Sequence, residues 1–144
     1  MTERQVKIIR GASGSGKSTY TKKHFPNAIV CSADAYFVDD QGNYNFDPTK
    51  IGAAHGSCRR SFKAALDRFQ PLIVVDNTNT TLREFKPYID LARKRGYDVE
   101  VIRLEVPLDV AAKRNVHGVP YDAVKRMKGR TVDFPGEKIV SGTD

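Results

Sequence analysis

"GASGSGKST", residues 11–19, decides how this chain is to be read. Gly11, Gly16, Lys17 and Ser18 satisfy the spacing G-x-x-x-x-G-K-[ST], and the spacing has a physical meaning. Glycines let the backbone curl until several N–H groups point inward at one anion. A helix starting near Lys17 would add its positive dipole end. The whole loop (Gly11, Ala12, Ser13, Gly14, Ser15, Gly16, Lys17, Ser18 and Thr19) is therefore expected to bind ATP. Lys17 would reach the β- and γ-phosphates, and the Ser18 hydroxyl would ligate Mg²⁺. The chain has no N-K-x-D guanine-reading motif, which favours ATP over GTP.

Working outward, the loop follows the apolar run "VKIIR" (6–10). Similar runs recur as "AIVC" (28–31), "LIVVD" (72–76) and "VEVIRL" (99–104). Nearly continuous apolar runs are the mark of parallel strands covered on both faces. Helical patterns separate them. Asp47-Pro48 is a helix-start signal, followed by Ile51, Cys58, Phe62, Ala65 and Phe69 at helical spacing. Leu82, Phe85, Ile89 and Ala92 form a second apolar face that stops at Gly96. Strand–helix alternation predicts an α/β sandwich with a mostly parallel four-stranded sheet. In such sheets ligands bind beyond the carboxyl ends of the strands, so the chemistry should cluster just after strands one, two and three. "YFVDDQGNYNFDP" (36–48), with Gly42 and Asn43 at its turn, reads as an excursion at the rim of that site.

The residues at those strand ends suit phosphoryl transfer. Asp34 lies just past the second strand, where a carboxylate can orient an attacking hydroxyl and accept its proton. Asp76 ends the third, in position to sit near Mg²⁺ through water or to steer an acceptor; a strand-terminating Asx turn is the other reading. Asn77, Thr78 and Asn79 add donors and acceptors at the same rim. His55 shares the apolar stripe of its helix and reads as a core residue. Arg59, with Arg60 and Lys63, suits either a substrate phosphate or a solvated face. "KRNVHGVP" (113–120) joins two helix-like pieces and reads as a lid. Arg114 within it could close over the phosphates as an arginine supplied in cis.

Bulk properties agree with one nucleotide-handling domain. The 144 residues are 40% hydrophobic and 28% charged, with a net charge of +7. Between Lys113 and Arg130 six basic residues face Asp122 alone, which gives that stretch +5 of the total. Such a segment invites a polyanion or forms a solvated basic face. No apolar run reaches the roughly 18 residues of a membrane span, and the first ten residues lack a signal-peptide core. Cys31 and Cys58 lie outside metal-type spacing and read as reduced core residues of a cytoplasmic protein, or of the host cytoplasm for a viral one.

Taken together, G-x-S-G-S-G-K-S-T, "SADAYF", "FDP…AH", "VVDNTNT…KPY" and "RNVHGVP" resemble the polynucleotide-kinase-like group of P-loop kinases. The likeness is greatest to the branch holding phage enzymes and the kinase domain of a mammalian ubiquitin-ligase-binding protein, and it runs over about residues 6 to 128. It implies a P-loop NTPase-type three-layer sandwich with a short helical lid over residues 1–130, and a tail from 131 to 144. It also implies transfer of the ATP γ-phosphate to the 5′-hydroxyl of DNA or RNA, as in nucleic-acid repair. A P-loop kinase for a small hydroxylated metabolite or nucleoside, and a non-catalytic ATP-gated binding module, are the other readings of the same residues. By the resemblance, Lys17 and Ser18 are the cradle lysine and Mg²⁺ ligand, Asp34 the general base, Asp76 the second acidic position and Arg114 a lid arginine. Asp34, Asp76, Asn77, Thr78 and Arg59 are the candidate substrate contacts. The chain departs from the phage pattern after Asp34. Ala35, Tyr36 and Phe37 stand where the relatives carry a second acid and then, at the position of Phe37, an arginine for the acceptor's 3′-phosphate. Phe37, Tyr44 or Phe46 could instead stack on a base. With no D-x-D-G-[TS] or K-x-D-G motif, a kinase module alone is expected.

Overall fold

Beta-rich runs and helical stripes assemble as the patterning predicts, with one strand more. The computed structural model describes residues 4–114 and 118–141. Its strands are β1 Gln5–Arg10, β2 Ile29–Cys31, β3 Leu72–Asp76, β4 Asp98–Glu105 and β5 Lys138–Ser141. Its helices are α1 Lys17–His24, α2 Ile51–Asp67, α3 Leu82–Lys94, α4 Leu108–Arg114 and α5 Tyr121–Arg130. The sheet order is β2-β3-β1-β4-β5, and every neighbouring pair is parallel.

Alternation along the central strands sorts side chains to two faces. Val6, Ile8, Ile73, Val75 and Val101 face α2 and α3, where Cys58, Phe62, Leu66, Phe85 and Ile89 complete the larger core. Ile9, Val74, Ile102 and Leu104 face the other way, under Tyr20 and Phe25. Helices on both sides of the sheet make three layers. Full burial of a ring such as Phe62 or Phe85, both at most 1% exposed, contributes about 1.5–3 kcal/mol. Helix α3 opens with a T-x-x-E box: Glu84 accepts from the backbone N–H of Thr81 at 3.0 Å and also from the Thr80 hydroxyl. No helix among the described residues is long and apolar enough to cross a membrane.

The sheet has five strands, not the expected four. Pro135, Gly136 and a run of only four residues hide β5 in the sequence, but one buried ion pair holds it. Glu137, immediately before β5, accepts from Arg10 Nη1 at 2.6 Å, and Arg103 Nη1 lies 3.3 Å from its other oxygen. The Phe134 N–H adds a bond at 2.9 Å. Arg10 has no exposed surface. Its guanidinium also donates to the carbonyls of Asn79, Thr80 and Val132 and stacks on Phe85 at 4.4 Å. Burial lowers the Arg10 pKa, and Glu137 counters that shift. Arg10 thus ties the last residue of β1 to the segment after β3 and to the chain's end.

Candidate active site

At the carboxyl ends of β1, β2 and β3 a cleft of about 860 Å³ opens. Strand β1 sends the chain into residues 11–16, whose shape depends on positive-φ glycines. Gly14 has φ +83, and a Cβ there would collide with the backbone carbonyl of Ala111 in α4. Gly16, at φ 93, precedes the first residue of α1. The loop is therefore packed from outside by α4 and α5. Ala12 shares a cluster with Val106, Ala111 and Val124, and the Ser13 hydroxyl donates to Met127 Sδ of α5 at 3.7 Å. Gly14, Gly16, Lys17, Ser18 and Thr19 line the cleft with Ser13. Gly11, Ala12 and Ser15 support the loop from a separate, much smaller hollow.

Lys17 Nζ spans the loop and donates to the carbonyls of Gly11 at 2.9 Å and Ala12 at 3.1 Å. Burial lowers its pKa, and the negative charges of Asp76 and Asp34 oppose that shift. These three charged groups thus share one electrostatic environment. Ser18 Oγ donates to Asp76 Oδ2 at 3.4 Å. One hydroxyl beside one carboxylate fits a Mg²⁺ ion, which typically completes its octahedron with phosphate oxygens and water. Ser18 would hold it directly and Asp76 directly or through water. Such an ion would supply charge neutralisation along a phosphate chain.

Asp34 reaches the cleft on a 3-10 turn, Ala33–Phe37, that the core holds at both ends. Ala33 and Phe37 are buried while Asp34 and Tyr36 face outward. Ser32 caps the turn by accepting from the Asp34 N–H at 3.2 Å. Asn77, read from the sequence as a substrate contact, borders the cleft, yet its side chain is committed inward. Its Oδ1 accepts from the Ala33 N–H at 2.8 Å and its Nδ2 donates to Cys58 Sγ at 3.5 Å. Asn77 therefore fixes the turn that carries Asp34. Asn77→Ala strands a buried N–H, and the expected cost is about 1–3 kcal/mol, read as a lowered urea midpoint at unchanged m-value. Unaltered stability would mean that Ala33 finds another acceptor.

The other predicted residues are also placed. The Thr78 carbonyl accepts from the Gly11 N–H at 3.1 Å, tying the β3 exit to the phosphate loop, and Thr78 lines the cleft. Arg114 ends α4, is half-buried, and lines the cleft beside Gly118 and Pro120. Asn115, Val116 and His117 of the expected lid motif lie outside the described residues. Arg59 is exposed on α2 and is not among the cleft's lining residues, whereas His55, expected in the core, is one of them. Cys31 and Cys58 are free and buried; burial and the neighbouring Cys58 push the Cys31 thiol up to about 12. Tyr44 gains a second part, since its hydroxyl donates to Asp34 Oδ1 at 3.3 Å. Burial and the adjacent Asp34 charge push the Tyr44 phenol up to about 12, so it stays a donor. Phe37, a candidate base-stacker from sequence, is only 7% exposed and belongs to the core.

Comparison with known proteins follows the same lines. The model of the AAA domain family matches residues 6–129. The chain is 34% identical over 128 residues to the human NEDD4-binding protein 2, an overlap covering 83% of this chain and 7% of that protein. Among solved structures it is similar to one described as the Pnkp1/Rnl/Hen1 RNA repair complex. The TM-score there is 0.72 at 19% identity, covering 91% of this chain and 45% of that one. It is also similar to a gluconokinase from Sinorhizobium meliloti 1021, with a TM-score of 0.60 at 16% identity over 100% of this chain and 86% of that one. At these identities the two structures establish a shared fold. The chain spans about a tenth of the length of the first curated relatives it matches.

Proposed function

We propose that this chain, which belongs to the AAA domain family over residues 6–129, transfers the γ-phosphate of ATP to the 5′-hydroxyl end of a DNA or RNA strand. The observation that carries the reading is the sharing of one cleft by a phosphate loop, the Ser18–Asp76 pair, an outward-facing carboxylate at Asp34 and a lid arginine at Arg114. A site that only bound ATP would have no need of an exposed carboxylate at Asp34.

In this reading Lys17 and the loop N–H groups hold the β- and γ-phosphates in line, and Arg114 neutralises charge as the phosphoryl group moves. Asp34 accepts the proton of the attacking hydroxyl, using one carboxylate oxygen while Tyr44 holds the other. A nucleic-acid acceptor suits the electrostatics. The cleft rim includes Arg114 and Arg130, and Lys113, Lys125 and Arg126 are exposed close by in sequence. Such charges release counterions from a phosphate backbone and make binding salt-dependent. The resemblance of the chain to the polynucleotide-kinase-like group, and the RNA repair complex among its structural neighbours, point the same way.

The test is label transfer. With γ-labelled ATP and Mg²⁺, the protein is expected to label the 5′ end of a 5′-hydroxyl oligonucleotide, with an acceptor KM that rises steeply with salt. Transfer to gluconate or another small polyol, with none to the oligonucleotide at any Mg²⁺ concentration, would overturn the proposal.

A further inference from the structure

The excursion between the Asp34 turn and α2 is held together by its own backbone and side-chain hydrogen bonds. Its two arms meet at an isolated antiparallel bridge, Val38 to Tyr44, and the Asn45 N–H donates to the Phe37 carbonyl at 2.8 Å. Asp39 closes the turn by accepting from the N–H groups of Gln41 and Asn43, both at 2.9 Å, and from Asn45 Nδ2 at 3.1 Å. This framework presents two aromatic rings to the cleft. Tyr44 and Phe46 lie parallel, 8° apart in plane with centroids 6.4 Å apart. Phe46 is braced edge-on by the buried Phe37 at 5.1 Å.

Phe46 is nevertheless 50% exposed, and it lines the same cleft as Asp34. Val30, Val38 and Ile51, each between 46% and 48% exposed, continue the apolar wall. Such a wall is poorly suited to a sugar acid or a polyol, which needs hydrogen-bonding and charged partners. It suits a flat heterocycle, because every nucleobase has a π-face and stacking on an aromatic ring is tolerant of sequence. The Tyr44 hydroxyl fixes the spacing between ring and chemistry, since it is bonded to Asp34.

We propose that Phe46, backed by Tyr44, is the stacking platform for the base of the acceptor's first nucleotide, so that the sugar of the same nucleotide meets Asp34. The inference rests on the polynucleotide-kinase reading above and sharpens it: the acceptor is recognised by its terminal base as well as by its hydroxyl.

The experiment compares a 5′-hydroxyl oligonucleotide with the same strand carrying an abasic first residue, using wild type, Phe46→Ala and Phe46→Tyr. Removing the base is expected to lower the wild-type kcat/KM by about tenfold or more, mainly through acceptor KM. Phe46→Ala should lose a similar factor on the intact strand and little further on the abasic one, with its KM for ATP unchanged. Phe46→Tyr should restore the dependence on the base. Three results would overturn the platform while leaving the kinase reading intact: wild type indifferent to the base, Phe46→Ala equally impaired on both strands, or an effect confined to KM for ATP. Absence of label on both strands would reject the two readings together.

Discussion

Lys17→Met is expected to lower kcat for phosphoryl transfer by about 10³-fold or more while the protein stays folded. The size of the effect follows from what the ammonium does in a site of this kind. Under the proposal it is a preorganised positive charge beside the transferring group, and removing one donor aimed at developing negative charge costs about 10²–10³-fold even where that donor is neutral. Here the loss is compounded, because Asp76 and Asp34 would then face a polyanionic tail without the cation that shares their field. Stability should not fall, since Lys17 bonds only to carbonyls of its own loop and its charge is already disfavoured by burial. A far-UV melting curve close to that of wild type checks this. Lys17→Arg should rescue little, because a planar fork replaces a compact ammonium against a tightly curled backbone.

The same lysine sets an alkaline limit. Its pKa is lowered from the ordinary 10.5, so the proton leaves at a lower pH than it would from an exposed lysine. Activity that needs the ammonium is present below the shifted value and is lost as pH rises through it. The basic limb of the kcat/KM profile for ATP is therefore expected below pH 10.5, and a limb at or above that value would argue that Lys17 is not the group titrating.

Much of this architecture is legible in the sequence. The loop and the first three strand ends could be read because each is local: apolar runs, glycine spacing and a carboxylate within a few residues of a strand terminus. Long-range pairings could not. By sequence Arg10 reads as the last residue of an ordinary strand, and its partner Glu137 stands 127 residues away. Without that pair, 131–144 reads as a loose tail and β5 is missed. "DNTN" shows the same limit in finer form. Its polar side chains suggest substrate contacts, yet Asn77 caps the Asp34 turn, and Asn79, in the left-handed region at φ 46, donates to the Ile9 carbonyl at 2.9 Å. A polar residue at a strand end serves substrate or backbone equally well by type; only the identity of its partner separates the two. Arg59 was a candidate through its charge alone, and helical phase carries it onto an exposed face. Asp47-Pro48, by contrast, is a local helix-start signal, and Asp47 caps the turn that leads into α2.

Asp34→Asn is expected to separate binding from chemistry. Asparagine keeps the size of the side chain and an oxygen able to accept the Tyr44 hydroxyl, so the turn capped by Ser32 and Asn77 should hold its shape. What it loses is the capacity to take a proton from the attacking hydroxyl, a contribution worth about 10²–10⁴-fold. The expected result is a kcat reduced by that factor with KM for ATP nearly unchanged, because under the proposal Lys17 and the loop hold ATP while Asp34 serves the acceptor hydroxyl. Tyr44 cannot substitute as the base. Its phenol is pushed up to about 12, so over the working pH range it keeps its proton and offers no phenolate to act as a base. A variant turning over at the wild-type rate would remove Asp34 from the chemistry and leave its exposure in the cleft to be explained by acceptor binding alone. A variant with weakened ATP binding and unchanged kcat would assign it instead to the donor side. Only the first pattern, slow chemistry behind intact ATP binding, is what a carboxylate facing the acceptor should produce.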